Sequence, residues 1–329
     1  MMRIMMQILK CAVVIVLLQS FLLQSGLAAE ESYPSRPLRM IIPFPPGGGT
    51  DTLARPVAKE LEKAWGKPVV VENRGGANGT IGAAVVAKSA PDGHTMLIVP
   101  YGFAVNPSMY KELPFDAARD FEPVSQLASN PSVLVVHPSF PPRTVKELIA
   151  LLKKRPGEIN YASSGSGSPP HLFTEQFMIM TGTRMTHIPY KGGGPATIAI
   201  ISGEVSVYIM APLQAMPHLK SGRLIALGVT SKNRDPAFPD IPTIAEAGVP
   251  GYAMTNWYGL LVPGGTPKPV VSKLNAEIVR ILNLRDIKDR LAAEGVTVVG
   301  STPEEFAAFL KDEIAKSERI VKKAGIDRQ

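Results

Sequence analysis

Short apolar runs alternate with longer amphipathic stretches along nearly the whole chain. Apolar, often β-branched runs predict strands at 38–42, 69–72, 95–99, 133–137, 158–162, 185–188, 205–209, 224–229 and 258–262. Between them, apolar residues recur at three- and four-residue spacing. That spacing predicts helices over 52–65, 80–88, 145–155, 170–181, 195–202, 215–220, 269–283, 287–293 and 302–324. The last has a strong start signal: Thr302 caps, Pro303 takes the first helical position, and Glu305 is the capping-box acid. The alternation predicts an α/β fold. Segments 127–131 and 250–262 read as crossings between two lobes. Residues 30–130 and 253–329 are then expected to form the first lobe, and 131–252 the second. The C-terminal helices are expected to return to the first lobe.

Two glycine-rich turns stand out against this pattern. Pro43-Phe44-Pro45-Pro46-Gly47-Gly48-Gly49-Thr50-Asp51 follows the first strand, and Pro189-Tyr190-Lys191-Gly192-Gly193-Gly194-Pro195-Ala196 follows a later one. Each leads into a helix, whose N-terminus carries unpaired N–H groups and the positive end of a dipole. Glycines there let backbone donors approach an anion. One such turn on each lobe predicts a single anionic ligand held between them. Thr50 is expected to cap its helix. Asp51 either holds the loop or meets ligand, and Lys191 either attracts an anion or is a solvated lysine. The run 163–168, rich in Ser and Gly, reads as a polar wall or a solvated loop. Tyr101 and Asn106 follow a strand end, where ligands gather in open α/β sheets, and are expected in the wall.

The N-terminus changes the compartment. Arg3 and Lys10 precede an apolar stretch that ends near the small residues Gly26-Leu27-Ala28-Ala29. Residues 1–29 therefore read as a secretory signal peptide. Cys11, the single cysteine, lies inside it, so the exported chain is expected to have no disulfide or thiol chemistry. The formal charge is +7, but basic residues are interleaved with acids, as in Lys146-Glu147, and no basic stripe appears. Nucleic acid is not an expected partner. The Gly turns fit neither G-x-G-x-x-G nor a phosphate-loop pattern, and Ser166 lacks the glycine a nucleophile elbow needs. The five histidines show no metal-ligand spacing. No catalytic set, metal or cofactor is expected.

The chain resembles the periplasmic receptors of tripartite tricarboxylate transporters, the Bug family. The resemblance is carried by Tyr33-Pro34-Ser35-Arg36-Pro37, the first Gly turn, Val71-Glu72-Asn73-Arg74, Ala90-Pro91-Asp92-Gly93-His94-Thr95 and Asn106-Pro107-Ser108. It continues in Pro189-Tyr190-Lys191-Gly192, 242–248, Trp257-Tyr258-Gly259 and Gly265-Thr266-Pro267. It implies a two-lobed, type II periplasmic-binding-protein fold that closes over one small carboxylate. It also implies a monomeric, non-enzymatic receptor in the periplasm, which delivers its ligand to integral membrane permease subunits. A solute sensor signalling to a membrane partner is the alternative. Carried across, ligand contacts fall on Phe44, Pro46, Gly47, Gly48, Thr50 and Asp51, and on Tyr190, Lys191, Gly192, Gly193, Pro195 and Ala196. Topology adds Tyr101, Asn106, Ser164 and Ser168. Ala199, Ser206 and Met210 stand where the family commonly has acids, and Pro169-Pro170 alters its usual turn. If those acid positions touch solute, an amine-bearing ligand is disfavoured.

Overall fold

The computed structural model describes residues 33–328 apart from 48, 236, 237 and 294. The expected signal segment, Cys11 and Gly48 lie outside the described residues. Residues up to Arg36 belong to one unit, and Pro37 onward forms another, which carries the fold described here.

From Pro37 the chain runs β1 (Leu38–Ile42), α1 (Gly49–Trp65), β2 (Val69–Asn73), a short 3₁₀ turn (Ala77–Gly79), α2 (Thr80–Ala87), β3 (Thr95–Pro100), α3 (Gly102–Met109) and β4 (Phe121–Asn130). Next come β5 (Val133–Val136), α4 (Val145–Lys154), β6 (Asn160–Ser163), α5 (Pro169–Thr181), β7 (Thr186–Pro189), α6 (Gly193–Ser202), β8 (Val207–Met210), α7 (Pro212–Lys220) and β9 (Ile225–Val229). The chain closes with β10 (Asn256–Pro263), α8 (Lys268–Leu282), α9 (Arg285–Ala293), β11 (Thr297–Val298) and α10 (Pro303–Ala324).

These strands form two sheets. One has the order β11-β4-β10-β3-β1-β2, the other β7-β6-β8-β5-β9. In the first, β1 runs parallel to β2 and β3, while β10 is antiparallel to β3 and β4. In the second, β6 runs parallel to β7 and β8, and β5 is antiparallel to both neighbours. Each sheet with its helices makes a lobe, so the fold is the expected two-lobed α/β architecture. Strands covered on both faces need continuous apolar sequence, and β1 and β3 are apolar and buried almost throughout. Helix α1 closes one face through Leu53, Ala54, Val57 and Leu61.

Two elements escape the apolar pattern. Strand β4 carries Pro123, Ser125 and Gln126, which read as loop residues. It is a strand because the Ser301 turn satisfies its buried polar groups: Ser125 donates to the Ser301 carbonyl (2.8 Å), and the Gln126 N–H donates to Ser301 Oγ (2.9 Å). Helix α3 contains Pro107 and begins on a glycine, both helix-breaking signals. It is held by α10, which packs along it and also reaches β4 and α5. The C-terminal helix therefore touches both lobes, not the first alone.

Helix α10 has the capping box its sequence announced. The Glu305 N–H donates to Thr302 Oγ1 (3.2 Å) and the Thr302 N–H to Glu305 Oε2 (2.9 Å). Thr302→Ala is expected to cost about 1 kcal/mol, readable as a lower urea midpoint at unchanged m-value.

Candidate functional site

A cavity of about 530 Å³ opens between the lobes. Its first-lobe wall is the turn after β1 (Phe44, Pro45, Pro46, Gly47, Gly49, Thr50), Asn78, and Pro100 and Gly102 at the end of β3. Asn256 and Tyr258 of the returning strand β10 add to it, and the second lobe contributes Gly167, Ser168 and Pro169. The N-termini of α1, α3 and α5 all meet at this cavity. The first-turn N–H groups of a helix have no intrahelical acceptor and sit at the positive dipole end, so the arrangement favours an anion. Among the described lining residues no side chain carries a charge.

The first Gly turn is riveted from behind. Asp51, buried in the first turn of α1, accepts from the Gly47 N–H (3.1 Å), Asn73 Nδ2 (3.0 Å) and the Arg55 guanidinium (2.9 Å). Asn73 Nδ2 also donates to the Phe44 carbonyl (2.9 Å). Hydrogen bonding from Arg55, then from Asn73 and Gly47, holds the Asp51 carboxyl down at about 2 against the desolvation that opposes it. Asp51 is thus the loop anchor of the two roles open to it. Its oxygens are committed to these partners and it is absent from the cavity wall.

Two expected wall residues also stand one layer back. Tyr101 is 0 % exposed, packed edge-on against Phe173 (5.3 Å between ring centroids, 81°), with Ser317 Oγ at its hydroxyl. It joins α3, α5 and α10 and is a core residue, its phenol pushed up by burial. Asn106 is 1 % exposed and exchanges amide bonds with Asn78: Asn78 Nδ2 donates to Asn106 Oδ1 (2.8 Å), and Asn106 Nδ2 to the Asn78 carbonyl (3.2 Å). Asn78 itself has φ 51° and lines the cavity. Asparagine tolerates this left-handed conformation better than most side chains. Gly102 permits the close approach, since a Cβ there would lie 3.1 Å from the Asn78 amide.

On the second lobe the wall differs from the expected one. Tyr190, Lys191, Gly192, Gly193, Pro195 and Ala196 do not line the cavity, and neither does Ser164. Ala196 is fully buried in the second-lobe core, and the Tyr190 hydroxyl donates to Glu204 (2.9 Å). The second Gly turn lies one strand over, because β7 is the outer neighbour of β6. The inner position falls to the loop after β6, of which Ser168 was expected in the wall. Ala199 and Met210 are core residues, and Ser206 is likewise outside the wall. The missing acids therefore do not bear on the cavity.

Of the polar side chains in the wall, sequence reasoning missed Asn78, Asn256 and Tyr258. The signal for the last two was the Trp257-Tyr258-Gly259 motif on a crossing strand, whose alternation turns Asn256 and Tyr258 to one side and buries Trp257 on the other.

The sequence and the fold both match proteins of known type. A family model described as the tripartite tricarboxylate transporter family receptor matches residues 53–326. The chain belongs to this receptor family. Protein BugT of Bordetella pertussis is 39% identical over 310 residues, covering 93% of this chain and 95% of BugT. The receptor also resembles the solved structure of R. palustris Rpa4515 with adipate, at 36% identity and a TM-score of 0.76, covering 90% of this chain and 100% of that one. MatC (Rpa3494) from Rhodopseudomonas palustris, solved with bound malate, is 34% identical with a TM-score of 0.72 over 88% of this chain and 100% of that one. The family's receptors are periplasmic solute-binding proteins, and among the described residues of this one no helix is long and apolar enough to cross a membrane.

The receptor's cavity loop rests on a stacked histidine pair, His171 buried and His187 half-buried. His171 accepts from the Gly167 N–H through Nδ1 (3.0 Å) and stacks on His187 (3.9 Å between ring centroids, 7°). His187 Nε2 lies 2.6 Å from Ser163 Oγ. Tyr161 donates to Glu175 (2.6 Å), whose carboxyl burial pushes up while the Tyr161 bond opposes that rise. Burial, with the neighbouring His187, lowers His171 to about 3, and burial lowers His187 to about 4. Both folded values lie below the unfolded value of about 6.5, so the unfolded chain takes up protons first as pH falls. Stability is expected to drop as pH falls from about 6.5 through about 4, and His171→Gln should flatten that slope in urea titrations across the window.

Proposed function

We propose that this receptor captures a small carboxylated organic anion between its lobes in the periplasm and delivers it to integral membrane permease subunits. The observation that carries this reading is the meeting of the α1 and α3 N-termini, with unpaired N–H groups, at an interlobe cavity that has no charged side chain among its described lining residues. Relatives of the same family with adipate and malate bound support it. Contacts would come from Phe44, Pro46, Gly47, Gly48 and Thr50 on one lobe and Ser168 on the other, with Asn78, Asn256 and Tyr258 added. Lobe 1 would comprise residues 30–130 and 253–329, lobe 2 residues 131–252, and 1–29 the export signal. A ligand that touches both lobes only when they close shifts the population to the closed state.

A thermal-shift screen of residues 30–329 against carboxylates tests this. A ligand at one hundred times its Kd should stabilise by about 2.7 kcal/mol. No shift with any carboxylate, in protein stripped of carried-over ligand by refolding, rejects the reading.

A further inference from the structure

The two walls of the cavity differ in what they can donate. On the second lobe every backbone and hydroxyl donor of the lining residues is spent or absent. The Gly167 N–H donates to His171 (3.0 Å), and the Ser168 N–H and hydroxyl both donate to the Gly165 carbonyl (3.2 and 2.6 Å). Pro169 and Pro170 take the first two positions of α5, and proline has no N–H. Ser168 makes no side-chain cap bond to that helix. What this wall presents is a prolyl ring, a glycine and a hydroxyl already committed inward. On the first lobe the opening N–H groups of α1 (Gly49, Thr50) and α3 (Gly102) lie at the cavity and have no intrahelical acceptor.

We propose that the site selects monocarboxylates with an apolar, amine-free body, the carboxylate held by the first lobe and the body laid against Pro169. This rests on the carboxylate reading above. A second carboxylate directed at the second lobe would lose its water without gaining donors, which is costly for a charged group. An ammonium would find no acid in the wall, because the neighbouring Asp51 is bound to Arg55, Asn73 and Gly47. Phe44, Pro45, Pro46 and Pro100 supply apolar surface for the body.

Matched ligands isolate each feature by calorimetry on residues 30–329. Hexanoate and adipate differ by one carboxylate; 3-phenylpropanoate and L-phenylalanine differ by one ammonium. Hexanoate is expected to bind at least about tenfold tighter than adipate, and 3-phenylpropanoate about tenfold tighter than phenylalanine. The double variant Pro169→Ala with Pro170→Ala restores two N–H groups and should narrow the hexanoate-to-adipate ratio by about tenfold. Adipate binding as tightly as hexanoate, or phenylalanine as tightly as 3-phenylpropanoate, overturns the selectivity and leaves the carboxylate reading standing. An unchanged ratio in a folded double variant overturns the role of the prolines. Failure of all four ligands, with citrate and malate also silent, overturns both readings together.

Discussion

Replacing Asp51 with alanine is expected to weaken carboxylate binding by about a hundredfold or more. The side chain does not line the cavity but holds Gly47, which does, so the effect would come through the loop. Removing it releases the Gly47 N–H and one bond from Asn73, and leaves Arg55 without its carboxylate. Each stranded partner costs about 1–3 kcal/mol where it is shielded from water, and 1.4 kcal/mol is tenfold in affinity. The turn that presents Gly49 and Thr50 would then sample many conformations, and ligand would have to order it. Asp51→Asn keeps the shape but loses the charge opposite Arg55, so its loss should be smaller. The native anchor is also expected to fail in acid. Its folded value of about 2 lies below the unfolded value of about 3.9, so its contribution is full above about pH 4 and is lost as pH falls through 2. Calorimetry on both variants, beside far-UV spectra that confirm folding, decides the matter. Native affinity in Asp51→Ala would show that the turn holds its shape without the anchor.

Gly259→Ala is expected to be strongly destabilising. A Cβ at this position of β10 would overlap the Phe306 ring, which is fully buried and wedged edge-on against Trp257 (5.9 Å between centroids, 75°). The strand cannot retreat, because it is bonded to β3 on one side and β4 on the other. Overpacking a closed core costs about 1–3 kcal/mol and occasionally more, and this site lies at the upper end. At about 2–4 °C per kcal/mol for a chain of this order, the melting temperature should fall by roughly 6–12 °C. Phe306→Leu alone should cost less, and combined with Gly259→Ala it should recover part of the loss, since the two sites share one volume. Strictly additive losses in the double variant would place the strain elsewhere.

Strands β1 and β3 were legible because burial on both faces demands unbroken apolar sequence, and α10 because its cap is local chemistry. Strand β4 was not, since its polar residues are satisfied by Ser301, far away in sequence. Helix α3 was hidden for a similar reason: its glycine and proline are outweighed by packing under α10. The first Gly turn was legible as strand, glycines and helix in one contiguous stretch, and it lies in the cavity wall. The division of labour behind it was open: Asp51 as anchor, Asn106 as support for Asn78, and Tyr101 as core follow from side-chain direction, which spacing does not set.

The sequence by itself determined the two-lobed α/β class, the family, and the turn that leads into α1, all through local propensity and contiguous motif. Only the tertiary structure decided which part of the second lobe faces that turn. Strand order does this: β6 lies inside β7, so the Ser168-Pro169 end of α5 reaches the cavity and the second Gly turn does not. Strand order arises from contacts between distant segments, and no local pattern encodes it.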